Sequence, residues 1–237
     1  MSWGPSKVVR PLLAAALLAT AGAALADILV VRSTGPSAKS FPPGKRLPET
    51  ARITLKPLDQ LIVLDGRGTR SIRGPGTFTA GAPAGGRVAS SGSASQRRAR
   101  IGAVRGDETG LPRPPSIWHV DVAKSSNVCV ADPAKITLWR ANPARTVTLD
   151  VIRVDDGATR RLSWKSGAST LDWPSDLPVA RGGRGRITFG GGTTPINLTF
   201  HILPQQPGGL EDMAQTLIRN RCDAQLDHFI DTVKLPG

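Results

Sequence analysis

Side chains that carry chemistry are scarce in this sequence. It has no tyrosine, two cysteines and three histidines among 237 residues. Neither Cys129 nor Cys222 has a His or Cys partner at zinc-ligand spacing, and His119, His201 and His228 form no pair at metal-binding spacing, so no metal site is expected. There is no Gly-x-Ser-x-Gly elbow, which leaves hydrolase logic without a nucleophile. The turn Asp155-Asp156-Gly157 lacks the spaced oxygen ligands and closing Glu of a calcium loop, and it reads as a hairpin turn instead. No catalytic residue and no cofactor is expected.

What the first 26 residues do contain is an export signal. Lys7 and Arg10 precede an apolar run from Leu12 to Ala24, and the segment closes on Ala24-Leu25-Ala26. The run is shorter than the roughly 20 residues that span a hydrocarbon core, so cleavage before Asp27 is expected, with no transmembrane segment left afterwards. No Cys follows the run and no adjacent arginine pair precedes it, which points to the general secretion route and a periplasmic location, with no lipid anchor and no preloaded cofactor.

Acidic residues are also in the minority. The formal charge is +13, falling to +11 when Lys7 and Arg10 leave with the signal. Outside the cytoplasm such a surface meets acidic proteins, anionic polysaccharide or lipid headgroups, and no nucleic acid partner is expected. The densest cluster, Arg97, Arg98, Arg100 and Arg105, is the candidate polyanion contact. In an oxidising compartment Cys129 and Cys222 read as one disulfide, closing a loop of 93 residues.

The rest of the chain divides by composition. From 27 to 81, short apolar strands alternate with Gly and Pro turns; the clearest hairpin signal is Leu61 to Leu64, then Asp65-Gly66, then a return strand from Thr69 to Ile72. Residues 82–113 are rich in Gly, Ser and Arg and too poor in apolar side chains to repay ordering, so they form a basic linker. Residues 114–206 carry seven strand-like runs, at 117–122, 127–131, 135–141, 146–154, 160–165, 186–189 and 196–203, which predict a β-sandwich. Within the fourth run, Val147, Leu149, Val151 and Arg153 share one face, and Thr148, Asp150, Ile152 and Val154 the other.

After Pro207-Gly208-Gly209, apolar residues from Leu210 to Val233 recur at steps of three and four, predicting an amphipathic helix of about 25 residues within 207–237. Cys222 lies on its stripe, so the helix is expected to be stapled across the sandwich; the alternative is that the stripe serves a partner's helix. Fold class is therefore mainly β: a small β module, a seven-stranded sandwich and a C-terminal helix packed on it.

Weaker features remain. Gly182-Gly183-Arg184-Gly185 resembles a dinucleotide fingerprint only superficially, because Thr188 takes the third glycine's place and no helix follows; a loop between strands explains it. Asp121, Asp150 and Asp172 can serve as an acid–base pair only if the fold sets their separation. Trp118, Trp139, Trp164 and Trp173 read as core, or as a sugar-stacking platform if two of them face solvent together.

Residues 53–80, Ile-Thr-Leu-Lys-Pro-Leu-Asp-Gln-Leu-Ile-Val-Leu-Asp-Gly-Arg-Gly-Thr-Arg-Ser-Ile-Arg-Gly-Pro-Gly-Thr-Phe-Thr-Ala, resemble the strand-turn-strand repeats of the periplasmic FecR-type domain, with Leu58 where that pattern usually has Gly. The layout with Leu138-Trp139-Arg140, Leu171-Asp172-Trp173-Pro174 and Cys222-Asp223-Ala224-Gln225-Leu226 also resembles uncharacterised exported proteins of Gram-negative bacteria. The resemblance implies an all-β module of envelope signalling or assembly and supplies no catalytic residues. The expectation is a noncatalytic envelope protein that binds or senses a protein partner. A binder of anionic glycan or lipid, and an enzyme with a site assembled only in space, are the alternatives.

Overall fold

A computed structural model describes Met1 and residues 27–83, 112–190 and 194–235. The signal segment from residue 2 to 26 and the linker arginines Arg97, Arg98, Arg100 and Arg105 lie outside the described residues.

The first β unit contains a four-stranded sheet in the order β2 (Arg46–Pro48), β1 (Asp27–Thr34), β4 (Gln60–Asp65), β5 (Gly68–Arg73). A two-stranded sheet, β3 (Arg52–Leu55) with β6 (Gly76–Thr79), packs beside it through Ile53, Leu55 and Phe78 on Ile28, Val30, Leu61 and Val63. The β4–β5 hairpin pairs Asp65 with Gly68, and the Asp65 carboxylate accepts from the N–H groups of Arg67 (2.8 Å) and Gly68 (3.3 Å). The positive φ of this turn lies at Gly68, where a Cβ would lie 2.3 Å from the Val233 carbonyl; a bare backbone there lets the chain's C-terminal segment dock.

At the turn before β4, Leu58 has φ +70° and is 89% exposed, while Asp59 N–H closes the turn on the Lys56 carbonyl at 3.2 Å. Left-handed backbone costs an L-residue roughly 1–2 kcal/mol, and the exposed side chain returns no packing. Leu58→Gly is therefore expected to raise the urea midpoint by a stability gain of up to about 1 kcal/mol, after the extra entropy glycine loses on folding. An unchanged or lower midpoint would show that the side chain is worth more than its exposure suggests.

The second β unit is a sandwich. Its five-stranded sheet runs β11 (Thr159–Trp164), β10 (Val147–Arg153), β13 (Arg184–Phe189), β14 (Ile196–Ile202), β8 (Ser126–Val130), with β14 and β8 parallel. Facing it is β12 (Thr170–Asp172), β9 (Thr137–Trp139), β7 (His119–Asp121). Leu138 and Val120 from the smaller sheet meet Leu149, Val151, Ile187, Leu198 and Phe200 from the larger in one core. The alternation along β10 places Leu149 and Val151 inward as expected. Arg153 sits at the rim of that face, where it donates to the Pro178 carbonyl and to Asp156.

The C-terminal stripe folds as two helices, α1 (Leu210–Arg219) and α2 (Asp223–Thr232), in place of one long helix. Arg221, at φ +54°, breaks the chain between them. The break folds the hairpin so that Ala214 and Leu217 of α1 converge with Leu226, Phe229 and Ile230 of α2. It also changes what the helices cover: their common core includes Leu29, Val31 and Leu64 of the first unit as well as Cys129 and Leu203 of the sandwich. The hairpin lies between the two β units and joins them.

Three kinds of bond reinforce this junction. The Cys129–Cys222 disulfide ties the helix break to β8 (Cα–Cα 5.9 Å). Beside it, the Gln225 amide accepts from Cys129 N–H at 2.7 Å and donates to the carbonyls of Cys129 and Ile117 at 2.9 Å, closing the β8 edge as a strand would. On the other side, Thr69 N–H donates to Val233 O, Leu235 N–H to Thr69 O, and the Thr69 hydroxyl to Ile230 O, so the C-terminal segment covers the edge of β5.

Candidate functional site

Acidic residues of the hairpin meet arginines of the β units. Arg32 bridges Asp223 and Asp227, Arg46 meets Glu211 at 2.6 Å, and Arg113 meets Asp231 at 3.2 Å. Exposed pairs of this kind contribute at most about 1 kcal/mol each. Of these pairs, Arg46–Glu211 stands in the lining of a cavity between the first β unit and α1.

That cavity is a cleft of about 550 Å³ at the seam between the first β unit and α1. The start of β1, β2, the β4–β5 turn, the Gly208-Gly209 loop and the first two turns of α1 wall it. Arg46 spans it: besides Glu211, its Nη1 lies 3.9 Å from Asp27, and the Gln215 amide, oxygen toward Arg46, accepts from Nε and Nη2 at 3.1 and 3.2 Å. The Asp212 carboxylate accepts from Gly208 N–H at 3.0 Å, occupying a donor at the helix start. Opposite, burial acts to raise the Asp65 carboxyl, but hydrogen bonds from Arg67 and Gly68 outweigh it and hold the group below the usual carboxylate range. Gly66 and Gly208 have open space where a Cβ would stand, so two stretches of wall are bare backbone. At pH 7 the cleft therefore offers a fixed array of charges and backbone groups.

A second, smaller cavity of about 110 Å³ lies where α2 crosses β7 and β8. It brings together His119 and His228, which the sequence left as separate residues, with Asp121, Asp227 and Lys124 at its edge. The Nδ1 of His119 is buried and has no hydrogen-bond partner among the described residues. Burial pushes His228 below its usual value of 6.5, helped by the Arg113 guanidinium and by His119, while Asp231 opposes. The unfolded chain thus takes up the proton first, so this histidine's stabilising contribution is complete above about pH 6.5 and is lost as pH falls below it. Carboxylates held low, such as Asp65, lose theirs only from about pH 4 downward. Between pH 7.5 and 5.5, urea unfolding of the wild type is expected to lose more stability than unfolding of His228→Gln; equal losses would contradict the assignment.

The other sequence candidates are used structurally. Asp150 forms a two-point pair with Arg161 (2.8 and 3.1 Å), and that bond chiefly holds its carboxyl below the ordinary range. Asp172 accepts from the Thr137 hydroxyl and Asp121 from Ala123 N–H, so the three carboxylates serve separate contacts. Trp139, Trp164 and Trp173 are buried and Trp118 packs half-buried on the helix core, which removes the stacking platform. His201 meets Asn127 at 3.3 Å. Gly182-Gly183-Arg184-Gly185 is a loop running into β13, as expected.

Among the described residues no helix is long and apolar enough to cross a membrane, and no group of three or more His, Cys, Asp or Glu side chains is placed to hold a metal ion. Comparison with known proteins finds no family model that matches the chain and no curated protein similar to it.

Proposed function

We propose that this chain is a noncatalytic protein of the bacterial envelope, exported by the general secretion route, with a FecR-like β module and a protein partner seated at the seam cleft. The observation that carries the reading is the composition of the cleft: one wall comes from the β module and the other from the helical hairpin, so its shape exists only when both are locked together. Such a composite surface suits a recognition or sensory accessory, since a partner bound there reads the joined state of the two units. The disulfide is consistent with an oxidising compartment.

The noncatalytic reading draws support from how the cleft's ionisable groups are employed. Arg46, Glu211, Gln215 and Asp212 hold one another or the helix start, and Asp65 braces the hairpin turn. Catalysis at neutral pH calls for a group poised near that pH and free to exchange a proton. Crosslinking of intact envelopes followed by purification of the tagged full chain is expected to bring down one discrete protein partner. Recovery of only abundant, nonspecific species would overturn the reading.

A further inference from the structure

We propose that the outer face of the five-stranded sheet is a binding surface for an extended anionic polysaccharide, separate from the seam cleft. The argument begins with Arg181-Gly182-Gly183-Arg184-Gly185-Arg186, a motif the proposed function leaves unused. A Cβ on Gly185 would stand 2.8 Å from Cη2 of Trp173 and 2.9 Å from Cε2 of Phe200, two rings packed edge to face with centroids 5.1 Å apart. The core therefore requires glycine at 185. Strand alternation then sends Arg184 and Arg186 out to the opposite face, where both are exposed.

Register completes the surface. Arg186 stands opposite Ile152 on one neighbour and Asn197 on the other, Arg184 stands opposite Thr199, and Arg161 stands opposite Asp150 two strands from β13. Each guanidinium is held by a neighbour: Arg161 by Asp150, Arg184 by Asp155 at 3.5 Å, and Arg186 by the Asn197 amide oxygen at 3.1 Å. Arg186 has no carboxylate partner among the described residues, and neither does Arg181 at the approach to β13; the patch thus keeps a net positive charge.

Spacing and polarity select the ligand. Arg184 and Arg186 are about 7 Å apart along the strand, and Arg161, level with Thr188, lies two strand spacings (about 10 Å) across the sheet and about 7 Å further along it from Arg186. A row of heads on this scale meets successive charges of an extended polymer, whereas a single small anion reaches one. Each contact is weak in water, and several engaged at once give usable affinity. Thr188 follows Arg186 along β13, Thr199 stands opposite Arg184 and Thr148 precedes Asp150 on β10, so hydroxyls share the face with the arginines, and the exposed Leu58 belongs to the first β unit. Its apolar side chains, Ile152 and Val154, are half-buried among the polar ones.

The test uses the full mature chain with polygalacturonate as the carboxylate polymer, dextran as the uncharged control and phosphatidylglycerol vesicles as the lipid arm. Wild type is expected to bind polygalacturonate with an affinity that falls about tenfold or more between low and moderate salt, and to ignore dextran. R184S/R186S is expected to weaken low-salt binding about tenfold with an unchanged thermal transition. A variant with Arg97, Arg98, Arg100 and Arg105 changed to serine is expected to lose less. The proposal is overturned if R184S/R186S binds like wild type, if the linker variant alone abolishes binding, or if vesicles are bound and polygalacturonate is not. None of these outcomes touches the protein partner, which the envelope crosslinking reads separately.

Discussion

Replacing Cys129 and Cys222 together by alanine is expected to lower the unfolding free energy by about 4 kcal/mol, mainly by freeing the unfolded chain from a closed loop of 93 residues. Both cysteines are buried, at 1% and 0% exposure, so lost packing adds to the effect. The folded hairpin should stay in place, because Gln225 still holds both backbone groups of Cys129 and the C-terminal segment still pairs with Thr69. The expected signature is thus a large drop in urea midpoint with the native circular dichroism spectrum retained. A drop of less than about 1 kcal/mol would mean that the unfolded ensemble is already confined in this region.

Arg140→Met is expected to cost about 3 kcal/mol or more, although it removes a buried charge that has no carboxylate partner among the described residues. The Arg140 side chain is 8% exposed, and its guanidinium donates to the carbonyls of Ala168 (3.0 Å), Arg145 (2.9 Å) and Lys165 (2.7 Å) while its Cζ sits 4.8 Å from the Trp164 ring centre. One planar fork satisfies three loop carbonyls at once and roofs the largest buried ring of the sandwich. Methionine fills the volume but leaves those carbonyls unsatisfied, and Arg140→Lys is expected to recover little, since an ammonium cannot reach three directions in one plane. Thermal unfolding of both variants checks this; a lysine variant as stable as wild type would contradict it.

The sequence made the sandwich legible because alternation is a local signal. All seven expected runs contain strands, and the sandwich strand overlooked among the described residues, Thr170–Asp172, has a single apolar residue, Leu171, too little to show a period. The helix break at Arg221 stayed hidden for the opposite reason: the stripe from Leu210 to Val233 continues through it nearly in phase, so periodicity alone joined the two helices. Arg140 and Arg70 were invisible as interior residues because an arginine's default place is the surface; what buries Arg70 is its bonds to the carbonyls of Ala80 and Ala82. The seam cleft could not be read at all. Arg46, Asp65 and Glu211 come from three separate stretches, and only the docking of the hairpin between the β units brings them together. Glu211 and Asp212 stood out merely as acidic residues suited to a helix start.

A photo-crosslinking amino acid placed at Gln215, inside the cleft, and in a second strain at Ser166, on an exposed turn of the sandwich, tests the central claim most directly. Illumination of intact cells is expected to give one discrete protein adduct from position 215 and none from position 166. The same adducts from both positions, or none from 215 with the protein correctly exported and folded, would contradict a protein partner at the seam.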